Sequence, residues 1–278
     1  MKRQKPKLLV ISAAAFSQGN WNLTDEVYLR KWIDNMPMSQ NKLDTVKTIP
    51  KNINKDDEKV KDNISDTLYF PLEKYHGNWK DPEAVYTSFV TRAYMRLSGG
   101  GYLKGFYSKT GITGGRDNLA NIGQPTKEAY VLTDECRAYL KELLSYCNKL
   151  GIEHVLLLQP PHETQAADKS GLEQIESITK AYGYDFLDLS TDYESIAGID
   201  DSHDFADFEH LNAYGAKKLT AYIGDMAVNQ YGIKSDTAKS ELSRWKKSVK
   251  RTKKALKMAR EYTDRGEAQV VGEYEAAK

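Results

Sequence analysis

The sequence predicts an α/β domain of three layers, with helices on both faces of a short, mostly parallel sheet, followed by a basic C-terminal helix. Three observations predict it. The segments "KLLVIS" (7–12), "HVLLLQ" (154–159) and "YDFLDLS" (184–190) have the length and composition of buried strands, and the unbroken apolar run of the first two implies cover on both faces. Helical patterns with start and stop signals separate them, giving the order strand, helices, strand, helix, strand, helix. From Ser235 onward the composition changes to lysine and arginine.

Taken in order, "KLLVIS" follows Pro6 and runs into polar "SQGNWNLTDE", which favours a strand over a signal peptide despite the basic start "MKRQKPK". The pattern "TDEVYLRKWIDNM" (24–36) opens on a Thr/Asp cap and ends before Pro37, and "DPEAVYTSFVTRAYMRL" (81–97) carries proline at its first helical position and stops at the glycines 99–101. Residues 98–125 form a glycine-rich connection without a phosphate-binding motif. They are expected to be a surface loop, or else a substrate wall using Tyr102, Phe106 and Tyr107. Two further helices, 126–150 and 172–182, end at Gly151 and Gly183. Cys136 and Cys147 fall in one predicted helix, about 16 Å apart at helical rise, too far to bond to each other.

The predicted domains are therefore 1–234 and a helical extension, 235–278. In the extension Leu242, Trp245, Val249 and Leu256 share one stripe and basic residues crowd the other faces. Such a helix docks by its stripe onto the domain or a partner protein, and its charge also suits an anionic surface; no nucleic acid is expected. The net charge is +1 and no apolar run reaches the ~18 residues a membrane span needs, so neither localisation nor substrate is fixed by composition.

The chemistry lies in "FADFEHLNAYGAKKLT" (205–220). Asp207 and His210 follow the strand 184–190 and precede a helix that Asn212 is placed to cap. That puts them beyond the carboxyl edge of the sheet, where open α/β folds bind ligands. A short turn would let Asp207 hold one ring nitrogen of His210 and leave the other as a base, the orienting role of a carboxylate in acyl-transfer triads. The same stretch offers His203, Asp204, Asp207, Glu209 and His210 as metal ligands, a competing reading. His162, in "QPPHE", is either a lining residue of the same edge or an exposed loop histidine, and His76, in "KYHGNW", packs with Trp79 in an interior or a cleft.

The Asp-x-x-His with its following helix, "DFEHLNAYGAKKLTAYI", resembles the last motif of the SGNH/GDSL hydrolase superfamily, at Asp207, His210, Asn212, Gly215 and Ala216. "HVLLLQPPHE" and "YDFLDLS" look like that family's strand into a proline-rich loop and its strand before the catalytic loop, and "KPKLLVISAAAFSQGNW" looks like the strand before its Gly-x-Asn-Asp block. The resemblance covers residues 5 to about 232. It implies a flavodoxin-like domain, a serine ester hydrolase mechanism with His210 as base and Asp207 as its orienter, no cofactor or metal, and an acyl ester or acylated carbohydrate as substrate. By position, Asn20 and His162 would contact that substrate. The family's Gly-Asp-Ser or Gly-x-Ser nucleophile has no counterpart here, and three strands are fewer than the five or so usual in a doubly covered parallel sheet. The chain is therefore expected to lack the strand that carries the serine and to be inactive or weak alone. Ser12 or Ser17 as a non-standard nucleophile is the alternative within that reading. An O-acyltransferase acting on cell-surface polysaccharide, or a non-catalytic binding protein, are the alternatives to ester hydrolysis, and full-length relatives would work outside the cytoplasm.

Overall fold

The computed structural model describes residues 5–17, 33–34, 36, 38–48, 68–69, 80–83, 86, 90, 103, 106–123, 125–234 and 239–272. The chain clusters into two compact units, residues 1–18 with 95–278, and residues 19–94. The C-terminal helix thus shares a unit with the sheet, where the sequence reading set a boundary at 234/235.

In the larger unit the described residues form an α/β fold around a three-stranded parallel sheet. Strand β1 (Leu8–Ser12) pairs with β4 (His154–Gln159), from Leu8 opposite His154 to Ser12 opposite Leu158. Strand β6 (Asp185–Asp188) pairs with β4 on the other side, ending with Asp188 opposite Gln159. The predicted partnership of 7–12 with 154–159 is present. Central β4 is buried from Val155 to Gln159, as its apolar run predicts. Strand β1 is not: Val10 is 39% exposed, the consequence of its edge position.

Short α1 (Ala14–Ser17) follows β1. Helix α4 (Asp134–Lys149) is capped by Thr133, whose hydroxyl accepts from the Cys136 amide at 3.2 Å. The helical reading from Thr126 is corrected here: Lys127–Ala129 is a strand, β3, pairing in parallel with β5 (Gln165–Asp168). Neither of these short strands carries the alternation that would mark it in sequence. Cys136 and Cys147 are free and buried in α4. Helix α5 (Ser170–Ala181) precedes β6 and is followed by Gly183 at φ +81°, the stop the sequence predicts.

Strand β2 (Ser108–Lys109) and α3 (Arg116–Asn121) lie in the glycine-rich connection. After β6 come α6 (Tyr193–Ala197), the hairpin β7 (Phe205–Asp207) with β8 (His210–Leu211), α7 (Ala213–Asn229), α8 (Lys239–Asp264) and β9 (Val270–Val271). Strand β9 pairs antiparallel with β2, Val270 opposite Lys109. Leu158, Leu189, Tyr193, Ile199 and Phe205 form the core beneath the hairpin. A second cluster, Leu103, Ala213, Ala255, Ala259 and Val271, docks the later part of α8 and β9.

In the smaller unit, α2 (Gln40–Thr48) contributes Val46 to a cluster with Ile33 and Leu68. Most of the predicted helices 24–36 and 81–97 lies outside the described residues.

Candidate active site

The hairpin explains how Asp207 and His210 meet. They are opposed across its two strands, closed by Phe208 and Glu209, so their side chains leave the same face at cross-strand spacing. Asp207 Oδ1 lies 2.7 Å from His210 Nδ1 and also accepts the Glu209 amide at 3.1 Å. Lys109 donates to the other carboxylate oxygen, Oδ2, at 2.9 Å and stands 3.1 Å from His210 Nδ1. An ammonium has only donors, so it cannot receive a proton from the ring. The arrangement is satisfied when Nδ1–H donates to Asp207 and Lys109 holds the second oxygen, which leaves Nε2 with the lone pair. Burial works to raise the Asp207 pKa. The hydrogen bonds from His210 and Lys109, the His210 charge and the Glu209 amide outweigh it and hold the carboxyl well below the usual range.

The hairpin is held from below. Asn212 is fully buried and caps α7, accepting from the amides of Tyr214 at 2.9 Å and Gly215 at 3.3 Å, the capping role its position predicts. Its amide nitrogen donates to the carbonyls of His203 at 2.7 Å and Gly111 at 3.1 Å, which ties the helix start to the turn and to the glycine-rich connection. Gly111 has φ +112°, a conformation that a side chain would strain. Gly215 allows close packing: a Cβ there would stand 2.5 Å from the Asp204 carbonyl oxygen.

His210 opens onto a cavity of about 290 Å³, lined also by Tyr107, Lys109, Pro160, Pro161, Glu209, Leu211 and Leu219. Its floor is the proline pair that follows β4, so the site stands at the carboxyl edge of the sheet. Tyr107, one of the aromatics expected to form a wall, is 56% exposed and does line it. Phe106 packs instead on the α8 cluster, and Tyr102 lies outside the described residues.

The other predicted residues separate. His162 is 2% exposed, with its ring edge-on to Tyr130 and Nδ1 3.0 Å from Glu128 Oε2. That corrects the expectation of a pocket-lining or exposed loop histidine: the chain turns inward after Pro161. Asn20, His76 and Trp79 lie outside the described residues. Ser17 is buried and donates its hydroxyl to Gln159 Oε1 at 3.1 Å, and Ser12 ends the edge strand. Among the described residues no serine, threonine or cysteine is hydrogen-bonded to His210, and no three His, Cys, Asp or Glu side chains gather as a metal site. The competing ligand set is dispersed: Asp204 faces inward to Lys218 and His203.

Two residues of the site carry no sequence signal. Lys109 arrives from β2, 98 positions before Asp207. Glu163 is fully buried beneath the hairpin, its amide donating to the Phe208 carbonyl at 3.1 Å. Thr113 donates its hydroxyl to Oε1, and among the described residues Oε2 has no hydrogen-bond partner. Burial, with the nearby charges of Asp201 and Asp207, pushes the Glu163 carboxyl up to about 7 against the hydrogen bonds from the Thr113 hydroxyl and the Gly115 amide.

The chain matches no family model, no curated protein and no solved structure.

Proposed function

We propose that this chain carries the acid–base part of an SGNH-type acyl-transfer site on a three-layer, flavodoxin-like domain. In this reading His210 takes the proton of an attacking serine through Nε2, and Asp207 fixes the Nδ1–H tautomer and stabilises the imidazolium. Lys109 keeps the Asp207 carboxylate ionised and in place. The serine comes from a Gly-x-Ser segment that this sequence does not contain. The substrate is an acyl ester or an acylated carbohydrate seated between Tyr107 and the Pro160–Pro161 floor, and water or a sugar hydroxyl is the acceptor.

The observation that carries the reading is the 2.7 Å contact of Asp207 with His210 at the mouth of a cavity. Its direct mark is the tautomer: at alkaline pH the imidazole ¹⁵N shifts of His210 should report a proton on Nδ1, and Asp207→Asn should disturb it. The kinetic test joins the chain to its in-frame upstream segment and follows short-chain nitrophenyl esters. The chain alone should fall at least ~10³-fold below the joined form, and His210→Ala should abolish the activity of the joined form. Full activity in His210→Ala would remove the reading. Robust hydrolysis by the chain alone, lost on Ser12→Ala or Ser17→Ala, would relocate the nucleophile.

A further inference from the structure

Helix α8 has two unlike halves. From Ala255 onward it is docked: Ala255 and Ala259 are fully buried against Leu103, Ala213 and Val271, with Leu256, Met258 and Tyr262 packed around them. The half before Ala255 buries Ser248 on one side but leaves large apolar side chains partly exposed to water. Leu242, Trp245 and Val249 are 43%, 47% and 49% exposed, and their spacing of three and four residues places them on one stripe. With Lys246, Lys250 and Lys253 they line a shallow groove of about 440 Å³ on the helix surface. From Leu242 through Lys257 the sequence has eight basic residues and no acidic one.

We infer that this half of α8 is a docking surface for an anionic phospholipid bilayer. The charge and the stripe must be satisfied together, and that selects the occupant. A second copy of the helix would cover the stripe but bring two sets of lysines face to face. A nucleic acid would neutralise the lysines but leave Leu242 and Val249 in water. An anionic interface accepts both: the stripe enters the boundary between headgroups and acyl chains, Trp245 sits at headgroup depth, and the lysine stems lie along the apolar surface with their ammonium groups at the lipid phosphates. Each lysine near such a surface adds about fivefold in affinity and the stripe adds the burial of its apolar area, so the two act jointly. The helix lies on the membrane and does not cross it; no described helix is long and apolar enough to do so.

The test uses the full chain and sedimentation with vesicles of phosphatidylcholine alone, or of two parts phosphatidylcholine to one part phosphatidylglycerol, at near-physiological salt. Anionic vesicles should bind at least about tenfold more tightly than neutral ones. The triple change Lys246→Glu, Lys250→Glu, Lys253→Glu should remove at least about tenfold of that binding, and so should Leu242→Ser, Trp245→Ser, Val249→Ser. Val249→Ser alone, the mildest change, should lower it about threefold with an unaltered melting temperature. Equal binding to neutral and anionic vesicles, or none to either, would overturn the proposal. Wild-type binding by both the apolar triple variant and Val249→Ser would overturn it too, since simple polycation exchange would then account for the attraction.

Discussion

Two aspartate–histidine pairs occur within residues 203–210, each with a lysine beside it, and one of them, Asp207 with His210, faces a cavity. In the first, Asp204 is fully buried. Its carboxylate is taken up by the Lys218 ammonium at 2.5 Å, the His203 ring at 3.0 Å and the Asp200 amide at 2.8 Å, while His203 packs edge-on to Tyr214. In the second, Asp207 and His210 have side chains 38% and 40% exposed, and the ring lines open space. Residue type and even partner type are the same, and the two rings are equally exposed at 40%; the aspartates differ, 1% against 38%. The buried Asp204 ties the turn to α7 through Lys218. His210 is the ring that lines the cavity, with a nitrogen to spend on a substrate.

That comparison predicts opposite costs. Asp204→Asn should lower stability by about 3 kcal/mol in urea unfolding, because a buried carboxylate with three partners is lost; Lys218 can turn to water, which keeps the loss below that of a fully enclosed pair. A loss under half of that would mean the two pairs are alike.

Glu163 extends the comparison to a carboxylate that is buried with few compensating hydrogen bonds. Its folded-state pKa of about 7 exceeds the ordinary 4.5, so the folded protein keeps a proton that the unfolded chain has released. The contribution is complete below pH 4.5 and is lost as pH rises to about 7, roughly 2–3 kcal/mol across that window. Glu163→Gln should flatten this slope and leave the protein more stable at pH 8. A slope unchanged by the substitution would assign it to another group.

Asn212→Ala should cost about 2 kcal/mol, from the lost cap and two orphaned carbonyls, and should loosen both pairs at once. The His210 ¹⁵N shifts should move with it. A stability loss without that movement would separate the hairpin from its support.

The smallest effect belongs to Asp207→Asn, within about 1 kcal/mol at neutral pH because the pair and Lys109 are partly exposed to solvent. With its folded-state pKa depressed, Asp207 stabilises above its ordinary value of 3.8 and loses that contribution as pH falls below it, the reverse of Glu163. Acid titration of the two variants should therefore diverge in opposite directions.

The open pair was legible in sequence because Asp207, His210 and the Asn212 cap lie within six consecutive residues, whereas Lys109, which reaches Asp207 from 98 positions away, was not. Strands β1, β4 and β6 were legible through their apolar runs. Strands β3 and β5 were not, because two- to four-residue strands have no period to read. The inward turn of His162 depends on Glu128 and Tyr130, which reach it only through tertiary packing. The stripe on α8 was read as one surface, yet Leu256 packs on the buried cluster while Leu242, Trp245 and Val249 each stay more than 40% exposed. The small side chains Ala255 and Ala259 decide where the helix can approach, and hydrophobicity alone does not report that.

The pairing of β2 with β9 bears on the order in which the protein is made. Thr110 and Gln269 bond to each other across 159 positions, and Lys109 sits in the same two-stranded ribbon. A chain emerging from the ribosome can close the sheet, α7 and the hairpin before residue 269 exists, since domains fold from the N-terminal side as synthesis proceeds. During that interval Asp207 and His210 can already be opposed while the residue that clamps the carboxylate still lacks its strand partner. A stalled or shortened nascent chain would then present the pair with its lysine on a strand that still lacks its partner.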